Sequence, residues 1–126
     1  MSTESQYPLS DLTEKIIGCA IKVHKALGPG FVEKIYQAAL AREFTNNKLS
    51  FEKEKKISVK YENTIIGYQI VDFMVEESVV VELKAVGELT DIHASQMVSY
   101  LKAANKEVGL ILNFAKSKLD IKRIKL

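Results

Sequence analysis

Three ionisable residues interrupt the apolar runs of the segment VDFMVEESVVVELKAV, positions 71–86: Asp72, Glu82 and Lys84. Charge inside a sheet core is costly unless it is paired or holds a metal. Side chains alternate faces along a strand, so Glu82 and Lys84, two positions apart, share a face. If the runs flanking Glu76-Glu77-Ser78 pair through that short turn, Asp72 lies beside Glu82. Two carboxylates and an ammonium then meet at one point of a sheet. Such a set suits phosphodiester hydrolysis. Paired carboxylates bind a divalent cation, which polarises a phosphate and acidifies a bound water. Hard oxygen ligands favour Mg²⁺ or Mn²⁺. The lysine can orient or activate the attacking water, or neutralise charge developing in the transition state. The competing reading is a buried carboxylate–lysine ion pair with a purely structural role.

The elements that would position these residues are legible as changes of period. Ser10-Asp11-Leu12-Thr13-Glu14 offers N-cap candidates, and Leu12, Ile16, Ile17, Ala20, Val23 and Leu27 recur at helical spacing. This predicts a helix ending near Ala26, stopped by Gly28-Pro29-Gly30. A second helix is expected over 32–46, with Ile35, Ala38, Ala39, Leu40 and Phe44 on its apolar side. From Phe51 the period becomes two: Ile57, Val59 and Tyr61 alternate with Ser58 and Lys60. Glu62-Asn63-Thr64 turns into a second strand over 65–75, with a bulge expected at Gly67. A short strand over 79–84 is apolar enough to be buried on both faces. A helix over 90–104, a buried strand over 108–113 and an edge strand over 119–124 complete the order ααβββαββ. The expected fold class is α+β, a mixed central sheet flanked by helices.

The chain has 126 residues, 47% apolar and 27% charged, which fits one soluble globular domain over 1–126 with a flexible N-terminus at 1–9. No apolar run approaches the roughly 20 residues that a membrane span needs. The N-terminus MSTESQYPLS lacks the pattern of a signal peptide, and a lone cysteine cannot form an internal disulfide, so a cytoplasmic location is expected. Cys19, among Ile16, Ile17, Ala20 and Val23, reads as a buried small hydrophobe. The net charge of +2 permits nucleic-acid binding without demanding it. Positions 116–126 hold five basic residues and one acidic residue, a local charge of +4. That segment reads equally as a lysine-protected edge strand or as a phosphate contact. No zinc-spaced His/Cys cluster, nucleophile elbow, phosphate loop or dinucleotide fingerprint is present. His93, at the start of a helix, reads equally as a phosphate contact or a cap, and His24 would meet the negative end of a helix dipole.

Asp72, nine residues, then Glu82-Leu83-Lys84 resembles the PD-(D/E)XK nuclease motif, with Val71 at the nominal proline position. The αβββαβ core of that superfamily matches the predicted order, so the resemblance implies a restriction-endonuclease-like fold. The segment GFVEKIY, 30–36, fits a G-x-x-E-x-x-Y pattern. With LGPGF, QMVSYLKA and GLILNF it resembles the bacterial GxxExxY family, a branch of the same superfamily, over about 12–124. The resemblance implies that Glu33 corresponds to the helical glutamate completing metal or water coordination. Tyr36, three residues on, would either hydrogen-bond a carboxylate or pack in the core. Gln96 and Tyr100, at i and i+4, resemble the Gln-x-x-x-Tyr motif of RecB-like exonucleases, near the substrate.

The expected activity is therefore a Mg²⁺- or Mn²⁺-dependent nuclease acting on nucleic acid, DNA by analogy with the superfamily. Asp72, Glu82, the Leu83 carbonyl and Glu33 would hold the metal, Lys84 would position the water, and Gln96, Tyr100 and Tyr36 would support the substrate side. Specificity would come from a protein partner, a homodimer or shape, since no separate DNA-binding domain is visible. The alternative is a non-catalytic binding or assembly module that keeps the nuclease fold.

Overall fold

The computed structural model describes residues 9–126, so the expected N-terminal tail lies, apart from Leu9, outside the described residues. Helices α1 (Ser10–Leu27) and α2 (Glu33–Asn46) precede strands β1 (Phe51–Tyr61), β2 (Thr64–Val75) and β3 (Val79–Lys84). Helix α3 (Asp91–Ala104) then leads to β4 (Val108–Asn113) and β5 (Asp120–Lys125). The five strands form one sheet in the order β1-β2-β3-β4-β5. Neighbours are antiparallel except β3 and β4, which run parallel because α3 crosses between them. The α+β class and the αβββαβ core are as expected, with α1 added before it and β5 after it.

Each face of the sheet has its own apolar layer. Ile16, Ala20 and Val23 of α1 and Tyr36, Leu40 and Phe44 of α2 pack on Phe73, Val81, Leu83, Leu110 and Leu112. Met97, Tyr100 and Leu101 of α3 pack on the other face against Ile57, Met74, Val80 and Ile111. Strand β3 is sandwiched between these layers, and Val79–Leu83 are all buried. Each such apolar side chain contributes roughly 1.5–3 kcal/mol by leaving water. Cys19 is buried in the first layer, and that burial pushes its thiol up from the ordinary value.

Several local expectations are corrected. Helix α1 is preceded by Leu9 in a left-handed conformation, not by a Ser, Asp or Thr cap; Thr13 Oγ1 donates instead to the Ser10 carbonyl at 3.1 Å. The buried stripe of α2 is Tyr36, Gln37, Leu40 and Phe44, whereas Ile35 and Ala38 are exposed. Gln37 turns inward, its amide donating to the Asp72 carbonyl at 3.3 Å, while Leu40 and Phe44 are buried as expected. The bulge expected at Gly67 is present: Val59 pairs with Gly67 and Lys60 with Ile65, leaving Ile66 unpaired. His24 is buried, with Nε2 2.8 Å from the Lys116 carbonyl.

Candidate active site

The β2–β3 hairpin brings the acidic residues together. Glu76 and Glu77 take left-handed conformations, and the Ser78 N–H donates to the Val75 carbonyl at 2.9 Å. The register is Val75 with Val79, Met74 with Val80 and Phe73 with Val81, so its continuation sets Asp72 against Glu82. The regular ladder stops there. The Asp72 N–H donates to Glu82 Oε2 at 2.7 Å, and the Leu83 N–H donates to Asp72 Oδ2 at 2.8 Å. Backbone donors at this depth require partners. The two carboxylates replace the missing ladder and are fixed by it in return.

An irregularity in both strands aims Asp72. Val71 and Met74 pack in the α3 layer and Phe73 in the α1/α2 layer, so strict alternation breaks at Asp72. Opposite it, the β1–β2 pairing passes from Lys53–Phe73 to Lys55–Val71 without pairing Glu54. Glu54 has φ 55°. The other non-glycine residues with positive φ, among the described residues, lie in turns or at helix ends; Glu54 alone lies inside a strand. Its carboxylate accepts from Lys34 Nζ, and this hydrogen bond holds it below the usual carboxylate range.

Burial and mutual charge set the protonation. Glu82 is 7% exposed and pushed up to about 8, first by burial and then by the charge of Asp72. Asp72 is also raised by burial, with the Leu83 N–H opposing. Neither carboxylate forms an ion pair among the described residues. Lys84 Nζ instead donates to Gln96 Oε1 at 3.2 Å, so the competing buried ion pair is not what forms here. Tyr100 is buried beside these groups and pushed up to about 12, by burial first and then by the charges of Glu82 and Asp72. Asp72, Glu82, Lys84, Gln96 and Tyr100 are therefore brought together.

Two expected members stand apart. Glu33 is exposed at the start of α2 and lines a cavity of about 110 Å³ with Lys34, Gln37, Asp72 and Leu83. Among the described residues no group of three or more His, Cys, Asp or Glu is placed to hold a metal ion, so Glu33 shares that cavity with Asp72 without completing a ligand set. Tyr36 is fully buried and stacks on Phe114 with ring centroids 4.4 Å apart. Its hydroxyl donates to the Gly28 carbonyl at 2.6 Å and accepts from the Phe31 N–H at 3.2 Å. Tyr36 therefore holds the loop before α2 and touches no carboxylate. His93 caps α3, its Nδ1 accepting from the Thr90 N–H at 2.9 Å.

Three positioning residues escaped the sequence reading. Gln37 and Glu54 flank Asp72, and nothing in their spacing marks them. Asn113 is fully buried at the end of β4, level with Lys84. Its amide binds Val86 through the N–H at 3.0 Å and the carbonyl at 2.9 Å, fixing the chain just after Lys84. A polar residue ending an apolar strand was the available signal.

A family model described as the PD-(D/E)XK nuclease superfamily matches residues 10–124. The solved structure described as "Crystal structure of SSO0001" aligns with a TM-score of 0.60 at 18% identity, over 93% of this chain. This chain spans 58% of that one, and the likeness at this identity is one of fold. No curated protein matches the sequence significantly.

Proposed function

Because the chain belongs to the PD-(D/E)XK nuclease superfamily, we propose that it is a divalent-metal-dependent nuclease that hydrolyses phosphodiester bonds in DNA. The observation that carries this reading is the pair of carboxylates, half-buried Asp72 and buried Glu82, fixed by backbone donors and without an ion pair to Lys84. A structural ion pair would place the ammonium on a carboxylate. A metal site leaves that position to the ion.

The residues present fit Mg²⁺ or Mn²⁺. Both carboxylates are hard oxygen donors, and the cost of charging Glu82, raised first by its burial and then by the charge of Asp72, is what a divalent cation would offset. Asp72, Glu82 and the Leu83 carbonyl would hold the ion, with Glu33 reaching it from the shared cavity through water. When bound, the ion polarises a phosphate oxygen and acidifies water. Lys84 would leave Gln96 to orient the water that attacks phosphorus, as the P–O bond to the leaving sugar oxygen breaks and that oxygen takes a proton. Gln96 would accept from Lys84 in the resting site and face the substrate in the working one. Tyr100 keeps its proton throughout the physiological range and so remains a hydrogen-bond donor to a substrate oxygen. The Gly30-x-x-Glu33-x-x-Tyr36 pattern supports assignment to the GxxExxY branch.

One observation favours the second reading, a nucleic-acid-binding or assembly module without turnover: among the described residues no third acidic side chain joins Asp72 and Glu82 in a group placed to hold a metal ion. Titration calorimetry with Mn²⁺ separates the two. The nuclease reading expects saturable binding at millimolar or tighter concentrations, lost in Glu82→Gln. Absence of binding would favour the module.

A further inference from the structure

The β1–β2 hairpin extends well past the rest of the sheet. It runs from Phe51 to Val75, whereas β3 pairs only with Phe73–Val75. Beside it, on the α3 face, lie three adjoining cavities of about 590, 480 and 490 Å³. The first and second share Ser58 and Ala103, and the second and third share Ser99 and Lys102. The first two form one open groove with the hairpin as one wall and α3 as the other, and the third continues it along α3 alone.

The groove is basic at its centre. β1 contributes Lys60, α3 contributes Lys102, and Lys106 follows α3; Lys55 also lines it but pairs with Glu52, and the Lys56 ammonium lies over the Tyr68 ring. The middle cavity contains Lys60 and Lys102 with Ser58, Ser99 and Gln69, and no carboxylate. Glu52 and Glu77 lie at one end and Asp91 at the other. Lys60, Lys102 and Lys106 form no ion pair among the described residues. Like charges left unpaired along a groove fit an anionic occupant. The 14 residues of α3 extend about 21 Å, the reach of about six phosphates along one strand of a duplex.

A hydrogen-bonded relay joins this groove to the candidate site. Gln69 Nε2 donates to Ser99 Oγ at 3.3 Å, Ser99 Oγ donates to the Gln96 carbonyl at 2.7 Å, and Gln96 Oε1 accepts from Lys84 at 3.2 Å. The basic C-terminal strand is a weaker candidate. Just before it Lys116 pairs with Glu88 and Asp120, and on it Lys125 pairs with Glu107.

We infer that the groove between the β1–β2 hairpin and α3 is the track for the sugar–phosphate backbone of the nucleic acid, leading it to Lys84. This rests on the nuclease reading, but it is tested without cleavage. Labelled 20-mers of single-stranded DNA, duplex DNA and RNA are titrated in EDTA and followed by fluorescence anisotropy across a salt series. Lys60→Ala/Lys102→Ala is compared with wild type and with Lys122→Ala/Lys125→Ala on β5. On at least one 20-mer the groove variant should bind roughly tenfold more weakly per lysine at about 0.1 M salt, with a salt slope shallower by about 1.8. The β5 variant should match wild type. Unchanged binding by the groove variant, an equal loss in the β5 variant, or no binding by wild type overturns the inference. Lysine-dependent binding without cleavage would refute the nuclease reading and leave the groove standing. Undiminished cleavage by the groove variant at subsaturating DNA would do the reverse.

Discussion

Glu82 holds a proton that an exposed glutamate would have lost. Its folded pKa of about 8 lies above the ordinary 4.5, so between these values the folded state binds more protons than the unfolded chain. The stabilising contribution of this group is complete below about pH 4.5 and is lost as the pH rises through about 8. In EDTA, the melting temperature should therefore fall between about pH 5 and pH 8.5. Glu82→Gln keeps an acceptor for the Asp72 N–H while removing the charge. It should flatten the profile and exceed wild type at pH 8 by on the order of 1 kcal/mol. A variant less stable than wild type at that pH would mean that Glu82 is paired in a way the geometry does not contain. At this scale much was legible. Strand parity put Glu82 and Lys84 on one face and the short turn set Asp72 opposite Glu82, but the irregularity that aims Asp72 was not readable. The reciprocal hydrogen bonds were not legible, because they depend on the ladder ending one pair early. Nor was the fate of Tyr36, since a tyrosine at i+3 from Glu33 can turn to either side of its helix.

Tyr36 is better understood through the element it serves. The Gly28-Pro29-Gly30 turn lets the chain reverse between α1 and α2, and the Tyr36 hydroxyl closes it with two hydrogen bonds. Tyr36→Phe should cost about 1–2 kcal/mol in urea unfolding. Cleavage should be affected far less than by Lys84→Ala; an equal loss of activity would return Tyr36 to the substrate side. Strand β1 offers a sharper case. Valine ordinarily exceeds glycine in strand preference, but Glu54 has φ 55°, where a β-branched side chain is strained and glycine is not. Glu54→Gly should therefore be more stable than Glu54→Val by about 1–2 kcal/mol, an inversion measurable by chemical denaturation. The usual order would show that this backbone conformation is not held in solution. Long periodic elements such as α3 and β4 were predicted to within a residue or so. The inward turn of Gln37 on α2 was not, because it follows a hydrogen bond to another element rather than hydropathy.

The molecule as a whole divides its tasks between the two faces of the sheet. The α1/α2 face is apolar packing, with the cavity shared by Glu33 and Asp72 at the start of α2. The α3 face bears Glu82, Lys84, Gln96 and Tyr100 and continues into the basic groove along the hairpin. A net charge of +2 conceals this arrangement, because composition does not record which charges remain unpaired. The length of the hairpin was readable from its two strands. Its projection beyond the sheet was not, because that depends on how few residues β3 pairs with it. Whether this site cuts phosphodiester bonds is tested most directly at Lys84, which lies at the site and donates to Gln96 rather than to a carboxylate that the fold needs. Single- and double-stranded DNA should be cleaved by the wild-type protein in Mg²⁺ or Mn²⁺ and spared in EDTA. Lys84→Ala, with its melting temperature retained, should be at least about 100-fold slower. Equal trace activity in wild type and variant, with or without metal, would contradict catalysis by this site.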